Sequence, residues 1–270
     1  MSVNINKSKS YQFHYDLTGN KNYPLILLLH GFTCDSQDFN SVISLLSQSY
    51  CCLAVDLPGH GRTRVSGDES CYNMTNTAQA LIYLLDDLQM DKCLLLGYSM
   101  GGRLALHMTL HFPDRFDKVV LESASPGLKT EKDRSHRIQS DLHLAQKLEN
   151  SNLKDFLYNW YDRPLFQSLK KSPNFDRLLE ARLANNPIEL AKSLRNMGTG
   201  NQPSLWAQLA QNQIPLLLLV GEYDDKFTTI NTKIANLCPA ASLKIVPKSG
   251  HNIHFENTDE FVEIVRQFYD

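Results

Sequence analysis

The tightest constraint on this chain is a five-residue turn. Gly97-Tyr98-Ser99-Met100-Gly101 fits the pattern G-x-S-x-G, with the apolar run Cys93 to Leu96 before it and a helical pattern, Gly102 to Phe112, after it. A strand that reverses into a helix within so few residues leaves no room for side chains beside the serine, hence the flanking glycines. Such a turn pushes the serine oxygen out at the carboxyl end of a sheet, above a helix N-terminus.

The sequence around the turn supplies the matching framework. Short apolar runs recur at 25–29, 51–55, 93–97 and 118–121, with helical patterns between them at 38–48, 74–90 and 101–112. In the second of these, Ala78, Leu81, Ile82, Leu85 and Leu88 fall at three- and four-residue spacing. Alternation of this kind predicts an α/β fold with a mostly parallel central sheet and helices on both faces. The alternation stops near Leu128. No strand is predicted from 128 to 205, where helices are expected at 133–150, 153–161, 173–184 and 187–196. Strand–helix order resumes at 216–220, 229–238, 243–247 and 259–269. The expected organisation is therefore a core of residues 1–127 and 206–270, interrupted by a helical cap insertion at 128–205.

A serine hydroxyl needs a base, and the base needs an acid to set its tautomer. His251 lies in Ser249-Gly250-His251-Asn252, after the last predicted strand. Asp224 ends Gly221-Glu222-Tyr223-Asp224, directly after the strand at 216–220, with Asp225 as its neighbour and alternative. Ser99, Asp224 and His251 each fall at a strand's carboxyl end, where open α/β sheets place their sites. An oxyanion hole needs two backbone donors aimed at one point. The amide of Met100, after the serine, is one candidate. The amide of Phe32, in the loop His30-Gly31-Phe32, is the other. His30, His60 and Arg62 are read as loop residues without chemistry.

Composition narrows the remaining classes. The chain has 27 basic and 29 acidic side chains, a net charge of −2, and no block of five or six like charges, so nucleic acid is not an expected partner. The longest apolar runs are strand-sized, well short of the roughly 20 residues that span a bilayer. The start, Met1 to Ser10, is polar and carries no leader pattern. The six cysteines include no C-x-x-C pair and are expected to be reduced and buried, which suits a cytoplasmic protein. No metal or cofactor is expected: there is no P-loop and no G-x-G-x-x-G, and His107 and His111 lack a zinc-type glutamate between them. Nothing in the composition calls for more than a monomer.

Charge is unevenly distributed. Residues 128–205 hold 13 Lys and Arg against 9 Asp and Glu, a net of +4, which leaves 14 against 20, a net of −6, for the rest. A basic insertion over an acidic body suits a small anionic ligand.

Longer motifs carry a resemblance. His30-Gly31-Phe32, Asp56-Leu57-Pro58-Gly59-His60-Gly61 and the serine turn resemble the α/β-hydrolase superfamily. Gly97 to Arg103, Ser125-Pro126-Gly127-Leu128, Trp160-Tyr161, Leu194 to Trp206 and Gly250-His251-Asn252 are similar to the 2-succinyl-6-hydroxy-2,4-cyclohexadiene-1-carboxylate synthase family, over about residues 11–268. The resemblance implies a lyase of menaquinone and phylloquinone biosynthesis rather than a hydrolase. It would take a ring proton alpha to the succinyl carbonyl and expel pyruvate, with Ser99 as base and the oxyanion hole holding an enolate. The substrate is a small multi-carboxylate molecule, and Arg103, Arg137 and Arg182 match the family's substrate-binding arginines. Arg134 is the alternative to Arg137, and Arg195 is a further candidate. Tyr98, Trp160 and Tyr161 would line the cavity. The rival readings are a capped carbon–carbon bond or carboxylic ester hydrolase, which would use the same triad, and a small-molecule receptor on the same fold.

Overall fold

The structure is a computed structural model that describes the backbone of residues 2–4 and all of residues 10–270. The polar start, where no leader is expected, lies mostly outside the described residues.

The strands are β1 (Ser2–Asn4), β2 (Tyr11–Thr18), β3 (Leu25–Leu29), β4 (Cys51–Val55), β5 (Arg64–Val65), β6 (Cys93–Tyr98), β7 (Phe116–Glu122), β8 (Leu216–Gly221) and β9 (Ala241–Val246). They form one sheet in the order β1-β2-β4-β3-β6-β7-β8-β9, with β5 beside β2. From β4 to β9 every neighbour is parallel, whereas β2 runs antiparallel to β4. The helices are α1 (Asn40–Leu46), α2 (Met74–Asp87), α3 (Met100–His111), α4 (Glu131–Asn150), α5 (Leu153–Tyr161), α6 (Phe175–Arg182), α7 (Pro187–Met197), α8 (Asp225–Leu237), α9 (Ile253–Glu256) and α10 (Thr258–Tyr269).

Burial on both faces explains the composition of the central strands. β3, β4, β6 and β8 are buried at every position. Alternate side chains serve opposite sides of the sheet. Leu27, Leu29, Leu53, Leu95 and Leu121 pack against α2 and α3 through Leu81, Leu85, Leu104 and Met108. Ile26, Leu28, Ala54, Leu96 and Val120 pack against α1 and α10 through Val42, Leu46, Phe261 and Val265. Each such leucine, isoleucine, valine, phenylalanine or methionine side chain contributes about 1.5–3 kcal/mol by leaving water. Strand β2 has no counterpart among the predicted strands. Its polar residues interleave with Tyr11, Phe13, Tyr15 and Leu17, a pattern without the continuous apolar run that marks the central strands.

Between β7 and β8 the chain makes α4 to α7 and short 3-10 turns, with no strand among the described residues. These helices have an apolar core of their own, including Leu148, Phe156, Leu157, Phe166, Leu178 and Leu190. Their starts are locally encoded. The Thr130 hydroxyl accepts from the Asp133 amide, Asn152 accepts from the Lys154 amide, and Asn186 precedes Pro187 at the first position of α7. Helix α8 begins four residues ahead of its predicted start at 229, because Asp224 caps it through the Phe227 amide. No helix among the described residues is long and apolar enough to cross a membrane.

Candidate active site

The turn predicted at Ser99 is strained and held from several sides. Ser99 has φ +50°, a region that costs a non-glycine residue about 1–3 kcal/mol. Its amide donates to the Glu122 carbonyl at 2.8 Å, and the Gly101 amide donates to the His30 carbonyl at 3.0 Å. A Cβ on Gly97 would stand 2.5 Å from the Gly101 oxygen, and one on Gly101 2.0 Å from the Leu29 oxygen. Both glycines are therefore required by close backbone approach.

The three residues named from sequence converge. Ser99 Oγ lies 3.0 Å from His251 Nε2, and His251 Nδ1 lies 2.7 Å from Asp224 Oδ2. Asp224, not Asp225, holds the histidine; its other oxygen accepts the Phe227 amide at 3.1 Å. Nothing in the local sequence marks Glu256, yet its carboxylate accepts the amides of Gly250 at 3.1 Å and Asn252 at 3.2 Å, gripping the loop on both sides of His251. Phe32 and Met100 both border the cavity in front of Ser99, and their amides have no acceptor among the described residues. His30 is buried and accepts the Leu57 amide at Nε2, 2.9 Å away, and burial lowers its pKa. A neutral histidine bracing the loop fits those contacts.

A cavity of about 970 Å³ opens over the serine, between the strand ends and the helices α4, α5 and α7. Six basic residues border it, Arg103, Lys129, Arg137, Arg163, Lys226 and Lys233, against three acidic ones, Asp133, Asp224 and Asp225. Trp160 and Phe166 supply apolar wall. Arg103 is only 9% exposed, and no carboxylate pairs with it among the described residues; its Nη1 donates to Gln202 Oε1 at 3.2 Å. Burial, helped by repulsion from Arg137, pushes its pKa down to about 10. Arg137 reaches the cavity while donating to Asp141 at 2.7 Å. Arg163, absent from the sequence candidates, lies 4.0 Å over the Trp160 ring.

The remaining candidates are not brought to the cavity wall. Arg182 is 3% exposed, ion-paired with Asp38, and its Nε lies 3.4 Å from the Tyr161 hydroxyl. Tyr161 in turn meets the Thr33 hydroxyl at 3.0 Å. A buried carboxylate such as Asp38 demands a cation, and α6 delivers the guanidinium to it. The Tyr98 ring packs between His251, 5.6 Å away, and His254, 4.8 Å away. Arg134 pairs with Glu131, and Arg195 with Glu69 and Glu149.

This sheet order, with the strained serine turn and the Ser–His–Asp array at the strand ends, defines the α/β-hydrolase fold class. A family model described as "alpha/beta hydrolase fold" matches residues 24–258. A Bacillus subtilis (strain 168) protein provisionally named as a 2-succinyl-6-hydroxy-2,4-cyclohexadiene-1-carboxylate synthase is 37% identical, over 99% of this chain and 98% of its own. The protein of that name from Enterobacter sp. (strain 638) is 32% identical, over 88% of this chain and 89% of its own. The solved structure of MenH from S. aureus is 35% identical with a TM-score of 0.89, covering 97% of this chain and 98% of that one. The chain belongs to the 2-succinyl-6-hydroxy-2,4-cyclohexadiene-1-carboxylate synthase family.

Proposed function

We propose that this protein eliminates pyruvate from 2-succinyl-5-enolpyruvyl-6-hydroxy-3-cyclohexene-1-carboxylate, giving 2-succinyl-6-hydroxy-2,4-cyclohexadiene-1-carboxylate for menaquinone or phylloquinone synthesis. The observation that carries this reading is the union of a Ser–His–Asp array with a cavity wall whose buried Arg103 has no protein carboxylate. A neutral ester would leave that charge uncompensated; a substrate with three carboxylates would not.

Ser99 Oγ takes the ring proton alpha to the succinyl carbonyl and passes its own proton to His251 Nε2. Asp224 stabilises the imidazolium that forms. The electron pair of the broken C–H bond moves onto the carbonyl oxygen, which accepts from the amides of Phe32 and Met100. Collapse of the enolate forms the conjugated diene and breaks the ring C–O bond, and the released enolpyruvate becomes pyruvate on protonation. Arg103 and Arg137 hold carboxylates of the substrate, and Trp160 packs against it. Residues 128–205 act as a cap that completes the cavity over the core and keeps water from the proton abstraction.

The test supplies the enolpyruvyl substrate and follows pyruvate together with diene absorbance. Wild-type protein should turn over, and Ser99→Ala should lose about 10⁴-fold or more in kcat without unfolding. Wild type that releases no pyruvate, or an acyl burst on activated esters in its place, would overturn the lyase reading.

A further inference from the structure

Beyond Arg103, the cavity holds cations that the proposed catalytic scheme does not use. Arg163 follows α5, and Lys226 sits in the first turn of α8. Each borders the same cavity as Arg137 of α4. Neither Arg163 nor Lys226 has an ion-pair partner among the described residues. Both are held by aromatic faces instead: Arg163 by Trp160 at 4.0 Å, and Lys226 by Phe227 at 5.4 Å. The Phe227 ring itself lies 4.6 Å from that of His251, so Lys226 stands beside the triad.

The acids nearby do not balance this charge. Asp224 is committed to His251 and the Phe227 amide, Asp141 to Arg137, and Asp133 to the Thr130 hydroxyl at 2.6 Å. Asp225 is the one remaining acid on the cavity wall among the described residues. Burial, and then repulsion from Arg137, depresses the pKa of both Arg163 and Lys226. Arg137, already paired with Asp141, and the unpaired Arg163 and Lys226 thus face one space from three separate elements. In a partly desolvated site this arrangement is unfavourable until an anion enters.

We infer that Arg137, Arg163 and Lys226 form a second carboxylate subsite across the seam between the helical segment and α8, separate from Arg103. A carboxylate bound there would contact α4, the turn after α5, and α8 at once. It would tie the helices over the cavity to the sheet domain. Two subsites select a ligand with at least two carboxylates. The inference rests on the proposed lyase reading only for the name of that ligand.

Propane-1,2,3-tricarboxylate is a stable probe of the subsite, read by titration calorimetry. Wild type should bind it, with affinity falling as salt rises. Arg163→Gln and Lys226→Gln should each weaken binding about tenfold, and raise KM for the enolpyruvyl substrate by a similar factor. Lys154→Gln, on an exposed face of α5, should bind as wild type does. Arg163→Lys and Lys226→Arg keep the charge and should retain most of the affinity, which covers the case in which the glutamine variants fail to fold. No binding by wild type, salt-independent binding, or unchanged affinity in both glutamine variants would overturn the subsite. Tricarboxylate binding without pyruvate release would refute the lyase reading alone. Pyruvate release with unaltered affinity and KM in both variants would refute the subsite alone.

Discussion

Arg103 and Arg182 are both buried, and both match substrate-binding arginines in the family resemblance, but their surroundings are opposite. Arg182 meets Asp38, which also accepts from His254 Nε2 at 3.3 Å; His254 Nδ1 lies 2.7 Å from Glu122. Four charges of alternating sign therefore run from α6 to the end of β7. The backbone carbonyl of Glu122 then receives the Ser99 amide. Arg103 has only the Gln202 amide oxygen and the open cavity. On the proposed reading, a fully buried guanidinium that already has a carboxylate, as Arg182 has, serves the architecture, whereas Arg103 keeps its charge for a ligand. Ionisation shows the same division. Burial works against the charge of Arg182, yet Asp38 outweighs it and raises the pKa; at Arg103 nothing outweighs burial.

The largest expected effect lies at the junction. Arg182→Met leaves Asp38 buried without its main counter-charge and should lower stability by about 3–5 kcal/mol, read as a shift of the denaturant midpoint. An unshifted midpoint would break the comparison, because Arg182 would then be available to the substrate after all.

Arg103→Met is the converse experiment. It should lower kcat/KM about a hundredfold while leaving the melting temperature unchanged or higher, since it removes an uncompensated buried charge. A melting temperature that falls together with activity would make Arg103 structural.

The smallest effect is a pH dependence that sharpens the contrast. Burial alone would lower the pKa of His254, but Glu122 and Asp38 raise it from 6.5 to about 9. The stabilisation is complete below pH 6.5 and is lost as pH rises through 9, at roughly 1 kcal/mol per pH unit in between. Urea midpoints measured from pH 6 to 9.5 should fall in wild type and flatten in His254→Gln. An equal slope in the two proteins would remove the histidine from the junction.

Much of the fold is legible locally, because strand and helix periodicity is written into neighbouring residues. The continuous apolar runs of β3, β4, β6 and β8 report burial on both faces. Strand β2, covered unevenly and antiparallel, carries no such run. The site divides in the same way. The glycines beside Ser99 are visible because a steric collision within five residues demands them. Glu256 is invisible because its role lies in two amides of a loop that the chain folds back to meet.

Sequence alone determined the strand–helix framework, the strained serine turn, the serine and histidine of the hydrogen-bonded array and the basic character of residues 128–205. These depend on short-range sterics, on periodicity, or on the placement of residues at strand ends. Only the tertiary structure decided between Asp224 and Asp225, paired Arg182 with Asp38 while leaving Arg103 without a carboxylate, and brought Arg163 and Lys226 to the same cavity. The physical reason is common to all three cases. The behaviour of a charged side chain depends on which opposite charge lies within a few ångströms, and those neighbours come from distant parts of the chain.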